Sequence, residues 1–138
     1  TGIASGSAYE PMTIQKDYTK YPSLVAKAVS ALRARGVVGP YAIALGPRCW
    51  EGLNTASDDG YPTIKRVRDL VDGPVVWAPA VDGAVVMSMR GGDYQLTAGQ
   101  DISIGYAHHD DKNLHLYMVE SFTFQNLSPE SALALRYR

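Results

Sequence analysis

Cysteine is almost missing from this chain. Cys49 is the single thiol among 138 residues, so no disulfide can close within it. Its place in an apolar helical pattern suits a small core filler better than a nucleophile, and the shortage of thiols accords with a reducing compartment. Charge of one sign is missing too. Thirteen basic residues stand against fourteen acidic ones, a formal net charge of −1, which leaves no global field to draw in nucleic acid or anionic lipid. There is no long hydrophobic run, signal peptide or lipidation motif, so nothing in the sequence marks a membrane span or an anchor. Nor is there an internal repeat, a low-complexity tract or a Gly-x-Ser-x-Gly elbow, and His115 has no neighbouring motif that would make it a base. The glycines of RGGDYQLTAGQDISIGY, residues 90 to 106, are not followed by a helix, so they lack the strand-to-helix setting of a phosphate loop.

What is present is a chain of one-domain length, 46% hydrophobic and 20% charged, enough for a packed soluble core. Residues 1 to 19 are polar, rich in glycine and serine, and read as an extended lead-in with little of its own to bury. Leu24, Val25, Ala28, Val29 and Leu32 recur at helical spacing, which predicts a helix from Pro22 to Arg35 ended by Gly36. Tyr41 to Leu45 reads as a buried strand between Gly-Pro pairs. Helices are predicted from Pro47 to Ala56 and from Thr63 to Val71, joined by a polar loop at Ser57-Asp58-Asp59-Gly60-Tyr61-Pro62.

Beyond Gly73-Pro74 the pattern turns to strands: 75–77, 84–89, 94–98, 102–106, 114–124 and 133–137, with the glycines read as corners between antiparallel strands. Helices around one early strand, followed by a run of strands, imply an α+β fold. In the long strand, Leu114, Leu116, Met118, Phe122 and Phe124 share one face, which is expected to be buried, and Glu120 on that face is expected to have a partner.

Two clusters carry possible chemistry. His108-His109-Asp110-Asp111 offers two imidazoles and two carboxylates, yet adjacent strand residues point to opposite faces, so a solvated turn competes with a metal site. Asp58-Asp59-Gly60 lacks the extended carboxylate pattern of a calcium loop and reads first as a turn. Trp50, Trp77 and the nine tyrosines are spread too widely to define a pocket. Residue chemistry alone therefore favours an interaction or structural protein over an enzyme.

Several motifs go further. Gly39-Pro40-Tyr41, Asp59-Gly60-Tyr61-Pro62, Leu70-Val71-Asp72-Gly73, Arg90-Gly91-Gly92-Asp93, the run from Gly99 to Tyr106, and Glu120-Ser121-Phe122-Thr123-Phe124 occur in an order that resembles the encapsulin family, specifically the family 1, linocin-like shell proteins. That resemblance implies a Hong Kong 97-like capsid fold and a structural shell protein, not an enzyme and with no cofactor. Such a protein assembles into an icosahedral cytoplasmic nanocompartment around cargo such as ferritin-like proteins or dye-decolorising peroxidases.

It also implies that only the C-terminal half of a subunit is present, whether through a cut, a split or processing ahead of Thr1. The expected partners are then the N-terminal half, other shell subunits, and cargo held through a targeting peptide, with no nucleic acid and no membrane. Residues 1–19 would lead in from a missing spine helix, residues 20–90 would form the A-domain, and residues 91–138 would return as P-domain strands. By the same resemblance Ser57, Asp58, Asp59 and Gly60 would line a pore. Asp101, Ile102, Ile104 and Tyr106 would help hold the cargo peptide, unless those apolar side chains are simply core. The alternative is an independent small metal- or ligand-binding domain using His108 to Asp111.

Overall fold

A computed structural model describes residues 2–138. Its centre is a five-stranded sheet in the order β1-β9-β6-β2-β5, built from β1 (Met12–Thr13), β2 (Tyr41–Leu45), β5 (Val75–Trp77), β6 (Ala84–Ser88) and β9 (Ala132–Arg136). β6 runs antiparallel to both β2 and β9, while the outer strands β5 and β1 lie parallel to their neighbours. Alternation sends Tyr41, Ile43, Leu45, Ala84, Val86, Leu133 and Leu135 to one face, where the helices cover them.

Those helices are α1 (Tyr21–Ala34), α2 (Pro47–Thr55) and α3 (Thr63–Val71), within a residue of the spacing prediction at each end. α1 buries Val25, Ala28, Val29 and Leu32, a stripe at three- and four-residue intervals, and α3 buries Ile64, Val67 and Val71 with Lys65, Arg66 and Arg68 left outside. Both α1 and α2 begin with proline in their first turn, where the missing N–H costs nothing. Cys49 is fully buried, 3.0 Å from the Tyr137 hydroxyl and 3.5 Å from that of Tyr21, which fits the filler reading. Burial pushes both tyrosine hydroxyls well above their ordinary pKa, so they stay neutral beside the thiol.

The lead-in contributes more than its composition promised. Ile14 is buried in the core, β1 pairs with β9, and Ser7 Oγ donates to the Ala132 carbonyl at 2.7 Å. The segment from Gly2 to Ser5 faces Ala44, Val85 and Met87 across a cavity of about 390 Å³ on the sheet face opposite the helices.

Three other expectations change. The loop after α2 is a small hairpin, β3 (Ser57–Asp58) with β4 (Tyr61–Pro62), closed by Asp59 at φ 48° and Gly60 at φ 80°. Two consecutive positive φ values are what a two-residue type I′ turn requires. The stretch around Gly99 is not a corner, because β7 (Tyr94–His109) is one continuous strand paired with β8 (Leu114–Asn126), and register shifts on either side of Gln100 absorb the glycine as a bulge. β8 is not buried on its apolar side; Leu114, Leu116, Met118 and Phe122 are all more than half exposed, and Glu120 is exposed and needs no partner.

Residues 91–138 divide between two sheets. The β7–β8 hairpin forms its own two-stranded sheet, whereas β9 returns to pair with β6 in the main sheet, since Leu133 and Leu135 complete its helix-covered face.

The junction between the two sheets is built from charge. After β6, Gly91 (φ 88°) and Gly92 (φ 81°) swing the chain so that Arg90 faces Asp93, with Arg90 Nη2 2.8 Å and Nε 3.0 Å from the carboxylate oxygens. Arg90 also donates to Ser131 Oγ at 3.1 Å, and the Asp93 carbonyl accepts from the amides of Leu127 and Ser128 at the end of β8. The base of the hairpin is thus tied to the start of β9.

Candidate functional site

Two surfaces hold the residues singled out from the sequence, and the fold keeps them apart. The first is the β3–β4 tip. Asp58 Oδ2 lies 3.2 Å from Arg66 Nη1 one turn into α3, and the same guanidinium sits 5.3 Å from the centre of the Tyr61 ring. Asp59 and Gly60 form the turn itself and are exposed, with no ion-pair partner for Asp59 among the described residues. Ser57 pairs across with Pro62 at the base of the tip. Asp58 is therefore compensated and Asp59 is free. Sequence reasoning gave both carboxylates the same standing, because the Asp58 to Arg66 spacing follows no local period and emerges only when a hairpin folds against a helix.

The second surface is the long hairpin. Cross-strand partners share a face, and the register pairs Leu96 with Phe124, Ala98 with Phe122, Ile104 with Met118 and Tyr106 with Leu116. The bulges around Gln100 add two residues to β7 and so preserve parity, keeping Leu96, Ile102, Ile104 and Tyr106 on one side with Leu114, Leu116, Met118 and Phe122. Ile104 is 68% exposed and Ile102 63%, so neither is core within this chain, and Asp101 is exposed beside them. The opposite side carries Thr97, Ser103, Thr123, His115 and Tyr117, with the Tyr117 ring lying over Gly105, where a Cβ would fall 2.2 Å from it. The ribbon is thus apolar on one side and mainly polar on the other.

At its far end the histidines flank the turn, with His108 and His109 closing β7 and His115 near the start of β8. His108 and His115 are directly opposite and stack with ring centres 4.3 Å apart. Asp110 accepts from the amides of Lys112 and Asn113 and lies 3.3 Å from His115 Nε2, and these turn contacts hold its carboxyl below the usual carboxylate range. His109 contacts the Tyr106 hydroxyl. Among the described residues no group of three or more His, Cys, Asp or Glu is arranged to hold a metal, so the cluster from His108 to Asp111 lacks the converging donors that a metal centre needs. Among those residues, no helix is long and apolar enough to cross a membrane.

A family model described as Linocin_M18, encapsulating protein for peroxidase, matches residues 1–123. The chain belongs to that family. It is 47% identical over 137 residues to the type 1 encapsulin shell protein of Rhodospirillum rubrum, covering 99% of this chain and 49% of that protein. It is 40% identical over 136 residues to the type 1 encapsulin shell protein of Mycobacterium tuberculosis, covering 99% and 51%. The chain therefore spans about half the length of these encapsulin relatives. Among solved structures it resembles a virus-like particle from Pyrococcus furiosus (TM-score 0.67, 12% identity, 89% of this chain and 55% of that one). It also resembles a chain of Mycobacterium phage Che8 (TM-score 0.65, 11% identity, 91% and 53%). The fold is the α+β, Hong Kong 97-like capsid fold that the motif order implied.

Proposed function

We propose that this chain is part of the shell subunit of an encapsulin nanocompartment, a structural protein without catalytic activity that assembles with other copies into a closed icosahedral cage around cargo proteins in the cytoplasm. The observation that carries this reading is the apolar side of the β7–β8 hairpin, which is exposed along its length in the isolated chain and suits a protein finished by its neighbours. Family membership supports it. In this reading the helices and the five-stranded sheet, β9 included, form the A-domain near the symmetry axes, and the hairpin extends as the P-domain. The N-terminal half of the subunit supplies the remaining length.

Within the shell, the tip at Ser57 to Gly60 borders an opening and the hairpin presents Asp101, Ile102, Ile104 and Tyr106 to a cargo-targeting peptide. Apolar anchors of such a peptide would be buried against the isoleucines while Asp101 fixes a basic or polar flank. The test is to express the complete shell subunit with tagged cargo, weigh the particles in solution and image them. Closed cages that retain cargo are expected, with Ile104→Asp and Asp101→Lys each leaving cages intact and reducing copurified cargo. A species no larger than a few subunits would overturn the shell reading; intact cages with full cargo in both variants would remove the peptide assignment alone.

A further inference from the structure

The β3–β4 tip contains a third charged group that its own four residues do not reveal. Arg66 belongs to α3, is exposed, and reaches back to Asp58 at 3.2 Å while its guanidinium lies over Tyr61. The tip itself is held by the type I′ turn at Asp59 and Gly60 and by the Thr63 amide donating to the Ala56 carbonyl at 3.1 Å, so the ion pair sits on a defined hairpin rather than a loose loop. An exposed pair of this kind adds little to stability, about 0–1 kcal/mol. Its effect on the local field is larger. Two carboxylates and one guanidinium leave one net negative charge for each copy.

We infer that Arg66 is the charge-setting residue of the opening: it cancels Asp58, so that Asp59 alone supplies the net charge each subunit presents to an entering cation. This rests on the reading of the tip as a pore rim. Symmetry multiplies whatever one copy presents, and closely spaced like charges on low-dielectric walls act together. The rim is accordingly a weak cation funnel with no coordinating site, and a single substitution on either side of the ion pair should shift it.

The test uses intact shells of the complete subunit enclosing a chelating dye quenched by Co²⁺, at low ionic strength, with acrylamide quenching as an uncharged control for pore width. Asp59→Asn and Asp58→Asn are each expected to slow Co²⁺ entry by roughly twofold to tenfold, and Arg66→Gln to quicken it by a similar factor, all three effects fading toward 1 M salt, where the Debye length is about 3 Å. Arg66→Lys should behave as wild type, because charge and not shape is at issue. The double variant Asp58→Asn with Arg66→Gln should return to the wild-type rate, since it removes a cancelled pair. If the double variant instead tracks Asp58→Asn, or Arg66→Gln leaves entry unchanged while Asp59→Asn slows it, the rim stands and the assignment of Arg66 falls. If none of the variants alters entry, the pore reading itself fails and the assignment with it.

Discussion

Asp93 is 3% exposed where the chain passes from the main sheet to the hairpin, and its carboxylate is gripped by the Nε and Nη2 of Arg90. Those hydrogen bonds hold its pKa below the ordinary carboxylate value, against the opposing effect of burial, with help from Ser131 and Ser128. A depressed folded pKa means that the ionised group stabilises the fold fully above the unfolded value of about 3.9, and that this contribution is lost as pH falls through the lower folded value. Asp93→Asn should therefore cost about 1–3 kcal/mol near neutral pH, an amount suited to a hydrogen-bonded charge whose partner keeps some access to water. Denaturation of wild type and variant across pH 7 to 2 checks this: the gap between them should close at the acid end, and a gap independent of pH would refute it. The same junction shows what single residues concealed. Arg90-Gly91-Gly92-Asp93 was legible as a turn because glycine relieves positive φ, but the ion pair depends on two side chains that only those φ values bring face to face.

At the scale of the element, spacing located the helices and core strands closely because their burial repeats with the period of the backbone, as in Val25, Ala28, Val29 and Leu32 of α1. The hairpin was harder. Alternation in Leu114, Leu116 and Met118 correctly gave a common face, but alternation carries no information about what covers that face, and among the described residues nothing does. Gly99 misled for a related reason, since a glycine that could turn the chain is equally at home in a bulge. The proposed shell reading has subunit assembly bury this apolar side. Leu116, 54% exposed here, discriminates. If it stays in solvent, Leu116→Ala changes stability by no more than about 0.5 kcal/mol; if assembly buries it, the loss is about 2–5 kcal/mol. The expected outcome is a clear fall in the temperature at which assembled shells come apart, with an unchanged temperature telling against burial.

For the whole molecule, eight large apolar side chains on one side of the hairpin, Leu96, Ile102, Ile104, Tyr106, Leu114, Leu116, Met118 and Phe122, are each more than half exposed. At roughly 100 Å² apiece they present on the order of 800 Å², beyond the few hundred Å² that soluble monomers usually show in one patch. An isolated two-stranded ribbon is also marginal in water, because it lacks a third strand or a helix against its apolar side. The main sheet has no such deficit, since its core strands are covered by α1, α2 and α3. The two parts of the chain should consequently differ in autonomy. Residues 1–138 produced alone are expected to associate or aggregate through the hairpin, with rapid amide exchange along β7 and β8 and slow exchange along β2, β6 and β9. Under the proposed shell reading, production together with a complementary half of the subunit should protect the hairpin and yield particles. Sedimentation and hydrogen exchange on the two preparations read both effects. A monodisperse monomer that unfolds in one cooperative step, with β7 and β8 as protected as the main sheet, would show that the chain does not need the rest of its relatives' length.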